Sequence, residues 1–257
     1  MTAALADLHT ELKPYYRCGM VRRSLRGFSM SQQRIVVGLF SGGVATFVAP
    51  DGRPLTTGIR KSPITNGVLD AEGFRNDASA EPDHHTTDKA IHLFADENYK
   101  LVESLLGVSL SRPTFGENLT ATGVREEQVY VGDLFQVGEA AICVTQPTER
   151  CRTIGLSAGI PKILKVLHEL EVCGFYARVV KPGRVAVGDA LVLRDRPQSS
   201  WSIKRLHRLM FHGLANEQQV AEAMAIEHLP AEWKSRAVTM RGRLRRGEPL
   251  SSNLIDL

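Results

Sequence analysis

The hydrophobic pattern of the chain changes its period once, near residues 196–200. Before this point, short apolar runs alternate with turn residues such as Gly132-Asp133 and Pro182-Gly183, a pattern typical of short β-strands in a barrel or sandwich. After it, apolar residues recur every three or four positions, which is typical of amphipathic helices. The sequence therefore predicts a β-rich domain followed by a small helical domain.

Helices are expected on both sides of this change. Two interrupt the β-rich part, at residues 96–106 and 161–170, because apolar residues recur there with helical spacing. Three follow the change, with stripes that contain Leu206, Val220 and Trp233, and Pro230 stands at the start of the last one. The predicted fold class is α+β, mainly β, with a flexible N-terminal extension (1–33), a β-barrel domain (34–197), a three-helix domain (198–245) and a tail (246–257).

The composition argues against several classes of protein. The formal net charge is +4 and the charges are interspersed, so no stable nucleic-acid partner is expected. The most apolar stretch, residues 35–50, is interrupted by glycines and too short to cross a bilayer, so no membrane partner is expected. The four cysteines form no C-x-x-C pair or regular framework, and no signal segment precedes Met30, so we expect a cytoplasmic location.

The first candidate cluster is Arg60-Lys61-Ser62. Two adjacent cations followed by a hydroxyl can hold a phosphate, because they supply charge and oriented donors together. The alternative is a solvated turn.

A second cluster holds histidine, aspartate and lysine side chains. It spans Asp77 to His92 and contains Asp83, His84, His85, Asp88, Lys89 and His92. Imidazole and carboxylate are common ligands of divalent metals, so a metal site is one interpretation. An anion pocket and a hydrogen-bonded loop are the alternatives.

The third cluster spans Pro113 to Leu119 and contains Gly116, Glu117 and Asn118. An amide and a carboxylate together offer the donors and acceptors that suit a pterin or purine ring. The alternative is a turn with Gly116 at positive φ, in which Asn118 caps the next segment.

The fourth cluster is centred on Cys151, which follows a strand-like run at residues 140–145 and lies between Arg150 and Arg152. Flanking cations favour a thiolate, which is a good nucleophile and a soft metal ligand. A structural thiol is the alternative here. Cys143 lies inside the strand-like run and is expected in the core.

In this order the four clusters resemble the MOSC domain, and most closely the bacterial proteins that confer resistance to hydroxylaminopurine. The resemblance covers residues 35–243 and is carried by residues 115–123, by Val131-Gly132-Asp133, and by Gln146-Pro147 leading to Cys151. It implies a MOSC-type β-barrel with peripheral helices, followed by a three-helix domain. The implied cofactor is molybdopterin with molybdenum, and the implied activity is reduction of small N-hydroxylated bases or related N-hydroxylated compounds.

The resemblance also assigns roles to single residues. Cys151 matches the cysteine that ligates molybdenum, which makes it the catalytic and metal-binding residue, and Lys61 matches the basic residue near the cofactor phosphate. Glu117 and Asn118 fall in the segment that lines the pocket. The full set expected to bind the cofactor is Arg60, Lys61, Ser62, His84, Asp88, Lys89, Glu117, Asn118, Thr120 and Arg152.

The chain departs from the family pattern at two places. His84-His85-Thr86-Thr87 replaces a His-Gly-Gly-Pro turn, and the loss of two glycines restricts that turn. After Cys151, Arg152-Thr153-Ile154-Gly155 replaces the usual aromatic-Lys-Leu, which is expected to alter substrate access.

Two other functions remain open at this stage. Cys151 can serve a sulfur carrier or a cofactor-binding module without turnover, and His84, His85, Asp88 and His92 can serve a divalent-metal hydrolase. Because no ferredoxin-like cysteine motif or dinucleotide-binding glycine motif is visible, we expect a separate electron-donor protein. The C-terminal helices carry no chemical cluster, so we expect them to dock that donor or to form a homodimer.

Overall fold

The computed structural model describes residues 33–80, 86–213 and 215–250. The predictions for the N-terminal extension, for His84 and His85, and for most of the tail therefore lie outside the described residues. Within the described residues, no helix is both long enough and apolar enough to cross a membrane.

Strands and helices contribute almost equally to the described chain, so "mainly β" applies to its first part and not to the whole. The strands are β1 (Val36–Ser41), β2 (Ala45–Val48), β3 (Pro54–Thr57), β4 (Ser62–Ile64), β5 (Asn66–Asp70), β6 (Gly73–Phe74), β7 (Ile91–Ala95), β8 (Leu119–Ala121), β9 (Leu134–Val137), β10 (Ala140–Pro147), β11 (Phe175–Lys181), β12 (Gly183–Ala186) and β13 (Leu191–Asp195). The helices are α1 (Asp96–Leu106), α2 (Arg152–Ala158), α3 (Ile163–Leu170), α4 (Ile203–Phe211), α5 (Glu217–Met224) and α6 (Ala231–Arg245).

Eight strands form the main sheet, in the order β13-β9-β10-β11-β7-β8-β1-β4. Its neighbours are antiparallel except β7 and β8, which are parallel. A three-stranded sheet (β12-β5-β6) and a two-stranded sheet (β2-β3) complete the β structure. The main sheet has β13 and β4 at its edges, so the described strands do not form the closed barrel predicted from the sequence.

The main sheet nevertheless folds back on itself at one end. Ile35 and Ala190 form an isolated antiparallel bridge, and the Val36 amide donates to the Asp189 carbonyl at 2.9 Å. The ladder does not continue, because β1 pairs with β4 beyond Leu39. The prediction of a barrel was therefore right about the strand-rich architecture and wrong about its closure.

The five helices predicted from the sequence are present. α1 begins and ends where its apolar spacing indicated, and it stops at Gly107, whose φ is 70°, the left-handed conformation that glycine adopts readily. α4 begins after Ser202, whose hydroxyl accepts from the Arg205 amide at 3.2 Å, an N-cap typical of helix starts. α3 begins at Ile163, two residues later than expected.

A single apolar core joins the main sheet to the C-terminal helices. Val131 and Phe135 from the sheet side belong to the same buried cluster as Leu206 and Trp233 from α4 and α6. A second cluster includes Phe115 and packs α1 and α3 together with the start of α2. Burial of each large apolar side chain contributes about 1.5–3 kcal/mol, so the C-terminal helices stabilise the sheet and do not merely follow it.

Candidate functional site

A cavity of about 420 Å³ lies where the fourth cluster meets the first three. Its size is within the usual range for small-molecule sites. The lining residues that carry polar or ionisable side chains are Thr56, Thr57, Lys61, Asp77, Ser79, Lys89, His92, Asn118, Thr148, Glu149, Arg150, Cys151, Thr153 and Tyr176. The structure therefore brings Lys61, Lys89, Asn118 and Cys151, four of the residues singled out from the sequence, to one cavity.

Two loop segments can close around this cavity because glycine allows close backbone approach. A Cβ on Gly58 would lie 1.9 Å from the carbonyl oxygen of Ala78, so a larger residue there would push apart two cavity-lining segments. Gly116 has a φ of 77°, as expected from the turn that was the alternative interpretation of the third cluster.

Cys151 is placed at the cavity by the end of the longest strand. β10 finishes at Pro147, opposite Phe175 of β11, and the Thr148 amide donates to the Gly174 carbonyl at 3.2 Å. The chain then leaves the sheet, and Cys151 is the exposed residue that precedes α2. A thiol at this position is accessible from the cavity.

The other described cysteines are unsuited to chemistry. Cys143 and Cys173 are both buried. Burial raises the pKa of the Cys143 thiol to about 12, and burial together with Glu126 raises the pKa of Cys173 well above its ordinary value. Since the thiolate is the reactive form, Cys151 is the described cysteine that can serve as ligand or nucleophile. The expectation that Cys143 belongs to the core is confirmed.

Lys61 pairs with Asp77, the first residue of the second cluster, and this pairing was not predicted from the sequence. Its Nζ forms an ion pair with Oδ1 of Asp77, and both side chains are largely buried. The second oxygen, Oδ2, accepts from Nδ2 of Asn118 at 2.9 Å, and the Gly42 amide donates to Oδ1 at 3.1 Å. Burial lowers the pKa of Lys61, and the negative charge of Asp77 opposes that shift. Lys61 is therefore already paired with Asp77 in the cavity wall.

Asn118 ties this ion pair to the sheet. Its Oδ1 accepts from the backbone amide of His92 at 3.0 Å, and its Nδ2 also approaches the Phe40 carbonyl oxygen at 3.3 Å. All the polar atoms of the side chain are thus engaged by the protein. Asn118 holds the cavity wall in shape, with little capacity left for a ligand.

Glu117 and Thr120 lie behind the cavity and do not line it. The Tyr99 hydroxyl donates to Oε1 of Glu117, and the Thr120 hydroxyl donates to the same oxygen at 3.0 Å. The Phe115 amide donates to Oε2 at 3.2 Å. Burial raises the pKa of Glu117, against the effect of these hydrogen bonds. Glu117 therefore organises the turn that carries Asn118.

Arg60, Ser62 and Arg152 are not among the residues that line the cavity. The Arg60 guanidinium donates to the Ser157 hydroxyl at 3.2 Å and to its carbonyl at 3.0 Å, and it lies 3.3 Å over the Phe47 ring. It thereby links the β2–β3 hairpin to α2. Ser62 and Arg152 are exposed.

Asp88 and Lys89, adjacent in sequence, have different surroundings. Oδ1 of Asp88 lies 3.1 Å from Nε of Arg178, away from the cavity, whereas Lys89 lines the cavity. The Lys89 ammonium lies 3.3 Å from Oε2 of Glu232 on α6. Among the described residues, no group of three or more histidine, cysteine, aspartate or glutamate side chains is arranged to hold a metal.

Arg150 lines the cavity, although the sequence did not single it out as a binding residue. All three guanidinium nitrogens are shielded from solvent and have no hydrogen-bond partner among the described residues. The guanidinium lies 5.5 Å from the ring centres of both Phe94 and Phe115. The sequence indicated only that Arg150 precedes Cys151, and no local pattern distinguishes it from the exposed Arg152.

One ring nitrogen of His92 also lacks a partner among the described residues, whereas the other is hydrogen-bonded to the Gly116 backbone. Its Nε2 atom is buried with no hydrogen-bond partner in the described part of the chain. Burial lowers the pKa of His92 well below its ordinary value, and the nearby Arg150 charge acts in the same direction. The imidazole is therefore neutral at physiological pH.

Comparison with known proteins gives matches to both parts of the chain. A family model described as "MOSC domain" matches residues 80–192, and one described as "YiiM-like, 3-alpha helix domain" matches residues 201–247. The first match includes Cys151 and begins after Lys61.

Relatives match over most of the chain. The uncharacterized protein YflK of Bacillus subtilis (strain 168) is 31% identical over 217 residues, which are 84% of this chain and 98% of YflK. A protein named "Reductase" from Gibberella moniliformis (strain M3125 / FGSC 7600) is 27% identical over 164 residues, which are 62% of this chain but 29% of that protein. The crystal structure of YiiM from Geobacillus stearothermophilus superposes with a TM-score of 0.68 at 25% identity, over 81% of this chain and 99% of that one.

Proposed function

Because the chain belongs to the MOSC-domain family that carries a YiiM-like three-helix domain, we propose that it is a molybdenum-cofactor oxidoreductase that reduces N-hydroxylated bases or related N-hydroxylated compounds. The observation that carries the proposal is the placement of Cys151. Its thiol is exposed at a polar cavity, whereas the other described cysteines are buried. Thiolate sulfur is a soft ligand suited to such a metal.

The residues present fit a large anionic cofactor. The cavity of about 420 Å³ is of the size that small-molecule and cofactor sites have, and its wall carries Lys61, Lys89 and Arg150. Several buried polar atoms there, including Nε2 of His92 and Oγ1 of Thr148, have no partner among the described residues. Buried polar groups are normally satisfied, so these atoms favour a polar occupant.

Each group has a distinct task under this proposal. When bound, the cofactor supplies the two-electron chemistry that removes oxygen from the N-hydroxyl group. Cys151 supplies the sulfur ligand, the cationic wall orients the anionic part of the cofactor, and the neutral His92 provides a hydrogen-bonding nitrogen without adding charge. The exposed position of Cys151 leaves room for a small substrate beside it.

Electrons would come from a separate donor protein. The similarity to a protein named "Reductase" supports a redox role. The match covers 29% of that protein, so most of its length lies outside the similarity. Docking of a donor on the C-terminal helices remains a proposal, as does a homodimer. A surface ion pair of 2.8 Å between Arg236 of α6 and Glu149 of the cavity gives these helices a direct contact with the site.

The test is analysis of the bound metal together with pterin fluorescence, on the full chain purified from cells that make molybdenum cofactors. Molybdenum with a pterin, and reduction of an N-hydroxylated purine with a chemical electron donor, are expected for the wild type. Molybdenum and pterin without any reduction would overturn the enzymatic proposal.

A sulfur carrier is the second candidate, because an exposed thiol can also hold a persulfide. Sulfane sulfur on Cys151 in a protein without molybdenum would favour it. Zinc or manganese in place of molybdenum would instead favour the hydrolase that His84, His85, Asp88 and His92 suggested.

A further inference from the structure

We propose that Arg150 binds an oxyanion inside the cavity, so that the anionic group of a ligand is recognised there and not at Lys61. The oxyanion is either a phosphate monoester on a bound cofactor or a free tetrahedral oxyanion. The proposal requires no redox chemistry and stands even if the function proposed above fails.

The argument begins with the cost of the unpaired guanidinium. Its three nitrogens are shielded from solvent and have no hydrogen-bond acceptor among the described residues. Removing an ion from water costs several kcal/mol unless a counter-charge and hydrogen bonds replace the lost solvation. The cation–π contacts with two aromatic rings at 5.5 Å offset only about 0.5–2 kcal/mol each. An acceptor supplied by a bound ligand would satisfy these nitrogens.

The two buried carboxylates that attract the Arg150 charge, Glu126 and Glu117, do not provide that acceptor. Glu126 accepts from the side chain of Asn98 and from the backbone amides of Cys173 and Gly174. Glu117 accepts from Tyr99 and Thr120. Both carboxylates therefore accept hydrogen bonds from groups other than Arg150.

The other cations of the cavity are already compensated. Lys61 pairs with Asp77, whose second oxygen is held by Asn118. Lys89 pairs with Glu232 at 3.3 Å. Of Lys61, Lys89 and Arg150, only Arg150 has no carboxylate within ion-pair distance among the described residues, so the cation without a direct counter-ion is its guanidinium.

Two further groups on the same cavity wall lack partners and can share the ligand. The Thr148 hydroxyl and Nε2 of His92 are both buried without a hydrogen-bond partner within the described residues. A planar guanidinium beside a hydroxyl offers several donors to one tetrahedral oxyanion, and Nε2 of the neutral His92, whose other ring nitrogen is hydrogen-bonded to the Gly116 backbone, can accept from a protonated oxygen of that ligand.

The test uses inorganic phosphate and the full chain produced in cells that cannot make the pterin cofactor. The midpoint of thermal unfolding is measured against phosphate concentration at constant ionic strength. Wild type is expected to rise by about 5 °C at saturation, since a ligand that binds only the folded chain stabilises it by mass action. Arg150→Met is expected to lose at least about tenfold in phosphate affinity.

Stability without phosphate separates an anion site from a structural cation. If Arg150 awaits an anion, Arg150→Met removes an uncompensated charge and is at least as stable as wild type in phosphate-free buffer. Arg152→Met, which removes the exposed arginine on the other side of Cys151, should bind phosphate like wild type. A wild type without a phosphate response, or an Arg150→Met that keeps the full response, would overturn the proposal. If Arg150→Met does not fold, Arg150→Lys keeps the charge without the fork of donors and should bind phosphate more weakly than wild type.

The source of the oxyanion is identified with the chain purified from cells that do make the cofactor. Loss of the phosphate response in that protein assigns Arg150 to the phosphate monoester of the cofactor. An undiminished response assigns it to a free oxyanion. Both results support the site at Arg150.

Discussion

Lys61 and Asp77 form an ion pair in the wall of the cavity, 16 residues apart in the chain, with little exposure of either side chain. Asn118 completes the pair by donating to the second carboxylate oxygen at 2.9 Å. A lysine that the sequence assigned to a ligand is thus the internal counter-charge of Asp77, and mutation measures what this pair contributes to stability.

Replacing Lys61 alone should be much more harmful than replacing the whole pair. Lys61→Met leaves a buried carboxylate without its cation and should lower the free energy of unfolding by about 3–5 kcal/mol. The double variant Lys61→Met/Asp77→Asn removes both charges and should recover most of that loss. Urea denaturation of the two proteins measures the difference. Equal losses in both would show that the pair contributes nothing as a pair.

Much of this architecture could be predicted from the sequence, because local patterns determine it. The stripe at residues 96–106 predicted α1, and the turn at Gly116 followed from its neighbours. β7 has no such local pattern, because all five of its residues are buried, and complete burial removes the alternation of a half-buried strand. α2 was missed because seven residues that include Gly155 are too short for a clear helical stripe.

The site was harder to predict than the fold, for a physical reason. Cys151 could be found because the chain order around it resembles a family. The pairing of Lys61 with Asp77 and the burial of Arg150 could not be predicted, because a side chain's partners depend on contacts between segments far apart in sequence. Arg150 and Arg152 look equivalent in the sequence, yet only the first is enclosed in the structure.

His207 on α4 should make the protein sensitive to mild acid. Burial lowers the pKa of His207 to about 3, and His212, Arg150 and His168 act in the same direction. In the unfolded chain the pKa is about 6.5, so the unfolded state binds more protons between these two values. Stability should therefore fall by about 1.4 kcal/mol for each pH unit below about 6.5, until the pH reaches the folded pKa.

The variant His207→Gln removes this contribution to the pH dependence. Its unfolding free energy should decline less steeply than that of wild type between pH 6 and 4, by about 1.4 kcal/mol per unit. Carboxylates titrate alike in both proteins, so the difference between the two slopes isolates His207. Parallel slopes would show that His207 is protonated as easily in the folded chain as in the unfolded one.

Trp233 should be essential for stability and not only for the packing of its own helix. It is fully buried in the cluster that joins α6 to the main sheet. Trp233→Ala should cost about 3–5 kcal/mol, measured by urea denaturation. Val238 is on the same helix and 54% exposed, so Val238→Ala should change stability by less than about 0.5 kcal/mol. A small loss in Trp233→Ala would mean that the sheet does not depend on the C-terminal helices.

The last prediction separates the chemical role of Cys151 from its role in the fold. Cys151 is exposed beside the cavity, and Cys143 is buried in β10. Cys151→Ser should therefore keep the stability of wild type, since an exposed near-isosteric change has little effect on folding. Cys143→Ser places a hydroxyl in an apolar interior and should lower stability by about 1–3 kcal/mol. Bound molybdenum and reduction of an N-hydroxylated substrate should be lost in Cys151→Ser and kept in the folded fraction of Cys143→Ser. A thiol reagent under native conditions should modify Cys151 well before Cys143 or Cys173, which tests the accessibility without any cofactor. If folded Cys151→Ser retains molybdenum and turns over like wild type, the sulfur of Cys151 is not the metal ligand, and an oxygen or nitrogen donor of the cavity must take that place.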